Sequence, residues 1–181
     1  MKNRRVLMKH GFQKSFFALI LCACLSIGLG ILLAARLDET RLRMIEAQLG
    51  VRFQEQTERS GIFTQSVIQN GGTMLLIWLF VFLPLGEWIA AGVMAVKAMG
   101  YGYTGAVLIR AYGGSGFLYT LTHLTPQAAI LLPAAVFLCY ANSRYGSSFR
   151  GKNSAIESRQ MLEYFTTLLL AAVCVVLAAF I

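Results

Sequence analysis

The chain is 181 residues long, 57% hydrophobic and 13% charged, with a net charge of +8 and a mean hydropathy of +0.63. A soluble domain carries about 25% charged residues, so the composition excludes that class and points to an integral membrane protein. No phosphate-binding glycine loop, zinc-ligand spacing or nucleophile elbow occurs, so neither an enzyme nor a cofactor is expected, and the cationic excess flanks apolar runs, where it sets membrane orientation rather than binding nucleic acid.

Met1 to Lys14 holds Lys2, Arg4, Arg5, Lys9 and Lys14 and no acid. Ser15 to Ala35 follows without a charge, long enough at about 1.5 Å per residue to cross a hydrocarbon core of about 30 Å. The run is too long for a signal-peptide core, so a retained first span (15–35) with a cytoplasmic N-terminus is expected. Cys22, Cys24, Cys139 and Cys174 all lie in apolar runs. Cysteine there acts as a small apolar residue, and neither a metal site nor a disulfide framework is expected.

Arg36 to Arg59 carries five arginines and five acids. Leu42, Ile45, Leu49 and Phe53 recur at helical spacing, Asp38 is placed to cap, and Glu39–Arg43 and Glu55–Arg59 are i,i+4 pairs. The pattern predicts an amphipathic helix over 38–59 outside the membrane, packed on its own protein or offering those four apolar residues to a partner.

Ser60 to Gly86 is again free of charge and gives a second span, about 62–84. Gln65, Gln69 and Thr73 share one face, with Ser66 and Asn70 beside them. Such side chains usually bond a neighbouring helix. Pro84-Leu85-Gly86 predicts a tight cytoplasmic turn, followed by Glu87 and an interfacial Trp88.

The third span, about 88–109, carries Ala91, Ala95, Ala98, Gly102 and Gly105 at steps of 4, 3, 4 and 3. That stripe lets another helix approach closely and offers a face for a homodimer. Lys97 lies off the stripe near mid-span, where a charge is costly without a partner. Glu87 suits it by charge, but ten residues along one helix is too far, so pairing requires a bend or a second protomer.

Ala111 to Ser143 is 33 residues without a charge. As one straight helix it would run about 50 Å, too long for the membrane core. Tyr112–Gly116 reads as a loop and 117–124 as a re-entrant half-helix. Thr125 is pushed out of helical geometry by the following proline, so Pro126 is expected to start a fourth span, 126–141, kinked at Pro133. His123 has no carboxylate or cysteine beside it and reads as an interfacial histidine, with Gln127 four residues on able to share its face. A basic loop over 142–163 precedes a last span, 164–181.

The whole reads as one all-α membrane domain, a polytopic bundle of about five spans with both basic segments inside and the C-terminus outside. Gln69, Asn70, Glu87, Lys97, His123 and Gln127 are the intramembrane polar candidates. The broken segment 112–141 with Lys97, Glu87, Asn70 and His123 also suits a polar path, which keeps a transporter subunit as the alternative function.

Four stretches together resemble the stage II sporulation protein M family of small five-span bacterial membrane proteins. "LMKHGFQKSFFALILCACLSIGLGILLAA" is similar to its basic start and first span, "SVIQNGGTMLLIWL" to its second, and "MGYGYTGAVL" to its glycine-rich third. "LTHLTPQAAILLPAAVFLCYA" resembles its Pro-Gln…Pro-Ala segment, with Pro126-Gln127 and Pro133-Ala134 in place. Ala128 departs from the amide usual after Pro-Gln. The resemblance implies a non-catalytic scaffold at the sporulation septum, anchoring two peptidoglycan-degrading partners, stage II sporulation proteins D and P, during engulfment. It also allows an ABC-type transport system as partner.

Overall fold

The computed structural model describes residues 2–45, 59–150 and 158–180. Among them the main elements are α1 (Lys2–Ala35), α2 (Arg59–Leu79) with a 3-10 turn at Phe80–Phe82, α3 (Gly86–Tyr119), a π turn (Thr120–Leu124), α4 (Thr125–Arg150) and α5 (Ser158–Ala179). No strand occurs among the described residues. Ser15–Ala35, Phe63–Phe82, Gly86–Gly146 and Gln160–Ala179 are each long and apolar enough to cross a membrane. The chain is therefore an all-α membrane helix bundle, as its composition requires.

The second turn forms where Pro84-Leu85-Gly86 predicts it. Leu83 N–H bonds Phe80 O at 3.1 Å and Gly86 N–H bonds Leu83 O at 3.0 Å. Leu85 takes the left-handed conformation, φ 66°. Exposed Trp88 sits just beyond, as an interfacial tryptophan should.

The 61 residues of Gly86–Gly146 would run about 90 Å if straight. They do not, because Gly113 adopts φ 59°, ψ −127°, inside what is otherwise helix. A side chain is strained there, so glycine is the residue that permits the reversal. Gly116 then lies against Leu108: a Cβ on it would meet the Leu108 carbonyl oxygen at 2.0 Å. Gly105 faces Thr120 and Leu124. The stretch is thus two antiparallel limbs, giving five limbs among the described residues.

Of the two breaks expected, the one within Tyr112–Gly116 is realised at Gly113 and the one at Pro126 is not. Residues 117–124 are not a separate half-helix; they run through the π turn into α4. Thr125 has helical dihedrals, φ −65°, ψ −49°, and its hydroxyl bonds Thr120 O at 2.9 Å. A proline ring clashes with the carbonyl four residues back. The wider π turn moves that carbonyl away, so Pro126 is accommodated without ending the helix. α4 likewise continues through Pro133.

The core forms where α2, α3, α4 and α5 meet, with Met74, Ile77, Met94, Leu131, Leu138 and Tyr164 fully buried. α1 is peripheral: Leu21, Leu25, Leu29 and Leu32 are 52–66% exposed, an apolar face suited to lipid. It packs mainly on α3, closely enough that a Cβ on Gly30 would meet Met99 O at 2.1 Å and one on Gly102 would meet Ile27 O at 2.2 Å. The guanidinium of Arg110, on α3, donates to the carbonyls of Ala34 and Leu37. It ties the close of α1 and the turn just past it to α3.

Residues 39–45 form the start of the helix expected over 38–59, with Leu42 N–H bonded to Asp38 O at 3.0 Å. Leu42 and Ile45 are half-buried there. Leu49 and Phe53 lie outside the described residues.

Candidate functional site

The polar residues of α2 face the middle of α3 and the start of α4. Lys97 extends from α3 and its Nζ donates to Asn70 Oδ1 at 2.8 Å and Thr73 Oγ1 at 3.3 Å. Asn70 Nδ2 donates to Ser66 Oγ at 3.2 Å, and Gln127 Nε2, from α4, reaches the same hydroxyl at 3.4 Å. Three helices are thereby joined by a continuous chain of hydrogen bonds. Thr73 Oγ1 also donates to Gln69 O, one turn back, at 2.8 Å.

Ser66, Asn70, Lys97 and Gln127 line a cavity of about 590 Å³ together with Gln65, Gln69, Thr104 and Tyr119. Its volume falls in the range of about 300–1,000 Å³ usual for small-molecule sites. Gln65, Gln69, Thr104 and Tyr119 are exposed, so the cavity opens at the side of the bundle. No carboxylate lines it among the described residues. Lys97 has three N–H donors, and among the described residues only two acceptors hold it.

Four of the six intramembrane polar candidates, Gln69, Asn70, Lys97 and Gln127, thus meet in one place. The other two do not line it. Glu87 is in the first turn of α3, and ten residues place it about 15 Å from Lys97 along the axis. The partner of Lys97 is neutral, not Glu87. His123 is exposed in the π turn, its ring 4.9 Å from that of Tyr119, a cavity wall.

The small-residue stripe is used within the chain. Ala98, Gly102 and Gly105 are buried, Gly102 against α1 and Gly105 against the limb after Gly113. Ala91 and Ala95 are half-buried. The face expected to pair two copies is therefore largely occupied by α1, whose own Gly30 completes the close approach.

A second polar cluster lies between α2, α4 and α5, where sequence reading did not place one. Trp78 Nε1 donates to Tyr164 O at 3.3 Å, and the Tyr164 hydroxyl donates back to Trp78 O. The two rings stack at 5.1 Å and 15°. Asn142 donates to Ile77 O, and its Oδ1 is 3.4 Å from the Tyr164 hydroxyl. Asn142 and Tyr164 are 1% exposed, which leaves this cluster dry and closed. An asparagine and a tyrosine just beside a basic loop were the available signal.

A third feature is apolar. A cavity of about 330 Å³ lies between α1, α3 and α4, walled by Ile27, Ile31, Ala106, Ile109 and Leu132. Tyr101 and Leu124 belong to its wall and to that of the Lys97 cavity. Among the described residues no group of three or more histidines, cysteines or acids could hold a metal ion.

The model of the family described as stage II sporulation protein M matches residues 18–181. No curated protein and no solved structure matches the chain.

Proposed function

This chain belongs to the stage II sporulation protein M family, and from that premise we propose that it is a non-catalytic scaffold of the bacterial cytoplasmic membrane. Its proposed task is to anchor peptidoglycan-degrading partners, stage II sporulation proteins D and P, at the septal membrane during engulfment. The observation that carries the reading is the family match across nearly the whole chain, on a bundle with an amphipathic segment beyond α1.

Charge supports the orientation. Phe16, at the start of the apolar span Ser15–Ala35, packs edge-on against Tyr140 of α4 at 6.2 Å, and the Tyr145 hydroxyl bonds Glu163 at 3.1 Å. The stretch 142–163 is not a loop throughout, since α4 continues to Arg150 and α5 begins at Ser158; these basic helix ends and the basic N-terminal segment lie toward one end, which the positive-inside rule assigns to the cytoplasm. Phe63 and Phe180 meet at the other end, 5.1 Å apart. That end also holds the close of α1, and is where the helix beginning at 39–45 would meet partners outside.

The test is to replace Leu42, Ile45, Leu49 and Phe53 together by Ser and recover the protein from detergent-solubilised sporulating cells. The reading expects normal membrane insertion with loss of proteins D and P from the pull-down. Undiminished recovery of both would refute the docking role.

One observation favours a second reading, a transporter subunit: the polar cavity at Lys97, open to the side of the bundle. It predicts a solute flux in proteoliposomes that falls when Lys97 is neutralised. No flux across a broad solute panel would eliminate it.

A further inference from the structure

Lys97 is eleven residues from the start of α3, about 16 Å along the axis and near mid-membrane. A charge at that depth is retained where it faces water, a counter-charge or a ligand. Asn70 and Thr73 accept from its ammonium, but both are neutral. No Asp or Glu lines the cavity among the described residues. The positive charge is oriented and not compensated.

The cleft around it has a direction. From Lys97 its α3 wall continues through Gly100 to Thr104, about 10 Å along the axis. Gln69 and Gln65 follow the same course on α2, one turn apart. Gln65, Gln69 and Thr104 are exposed along this line. Lipid tails offer such side chains no hydrogen bond, and in membranes they are met by a neighbouring helix. Gly100 leaves room for one, since a Cβ built on it meets nothing within 4 Å.

We propose that this cleft docks a transmembrane helix of another membrane protein, one that carries an Asp or Glu at mid-depth to pair with Lys97. A second copy of this chain does not supply that acid. Copies inserted the same way up hold each residue at the same depth, and Glu87 lies about 15 Å from Lys97 along the axis. The other acids fall outside the apolar runs or at their edge. The incoming helix runs beside Gly100, with Gln65, Gln69 and Thr104 bonding its polar atoms and its carboxylate on the ammonium. The proposal rests on the scaffold reading in that the chain holds membrane partners, and it adds a contact inside the membrane to the one outside.

The experiment places p-benzoylphenylalanine at position 69 of the full chain in sporulating cells and maps the photocrosslinked peptides by mass spectrometry. The expected product is a transmembrane segment of a different protein with Asp or Glu near its middle. Lys97→Gln should lower the yield about tenfold, the worth of one charge-assisted hydrogen bond, and Lys97→Arg should restore most of it. Lys97→Glu set against a lysine at the mapped acid should recover the yield that either change alone loses. Gly100→Leu fills the cleft, meets nothing of its own chain and keeps Lys97, so it should abolish the product. Gly28→Leu, equally open on α1, should not. That pair keeps the idea exposed if Lys97→Gln fails to fold. A product from a second copy of this chain, from a segment with no acid at that depth, or from lipid alone overturns the proposal. So does a yield unchanged in Lys97→Gln. No product beside undiminished recovery of proteins D and P overturns this contact and leaves the scaffold reading standing. A mapped acidic segment beside failure to recover D and P upholds the contact and removes those two as the partners.

Discussion

The bundle contains two polar regions built from similar side chains, and they are finished differently. Around Trp78, Asn142 and Tyr164 the groups answer one another across α2, α4 and α5. Among the described residues no buried side-chain nitrogen or oxygen lacks a partner. Around Lys97 the hydrogen bonds also cross helices, but they surround a space and leave a cation facing it. Inside a membrane an unmade hydrogen bond is expensive. A closed network therefore reads as a fastening between helices, and an open, charged one as a place for something else.

That contrast can be broken by substitution. The largest effect should come from Trp78→Ala, which removes the stacked ring and the bond to Tyr164 O together. A loss of about 3–5 kcal/mol is expected, as for other large-to-small changes in packed interiors, read as a lowered unfolding midpoint in detergent. An unchanged midpoint would mean the cluster is not a fastening. Tyr164→Phe is gentler. It keeps the stack but strips the donor to Trp78 O, and about 1–3 kcal/mol should be lost because that carbonyl is left unanswered.

Much of this arrangement was legible in the chain. The long uncharged runs predict the spanning helices, and Pro84-Leu85-Gly86 predicts its turn, because both are local properties. The stripe through Ala98, Gly102 and Gly105 does mark a close helix approach. It could not say that the approaching helix is α1 of the same chain, since small residues advertise proximity and not identity. Length alone required a break within 111–143, but two residues competed to supply it. Proline is the louder signal, yet a π turn absorbs Pro126, whereas Gly113 reverses the chain.

The site was half legible for the same reason. Gln69, Asn70, Lys97 and Gln127 stand out as polar residues in apolar surroundings, and four do converge. Their meeting depends on the hairpin at Gly113, which carries Gln127 back beside α2. Charge suggested Glu87 for Lys97, while geometry supplied Asn70 and Thr73. Asn142 and Tyr164 drew no notice because each looks like the edge of a span. Only the folded bundle sets them against Trp78.

The measurement that bears most directly on the difference between the two regions is the unfolding midpoint of the full chain in detergent, Lys97→Gln against Tyr164→Phe. Tyr164→Phe should lower it, because the Trp78 carbonyl loses its donor inside a closed cluster. Lys97→Gln should leave it nearly unchanged, because the ammonium faces an open cavity. A loss in Lys97→Gln as large as that in Tyr164→Phe would show that Lys97 is one more structural contact, and the contrast between an open site and a closed fastening would fail.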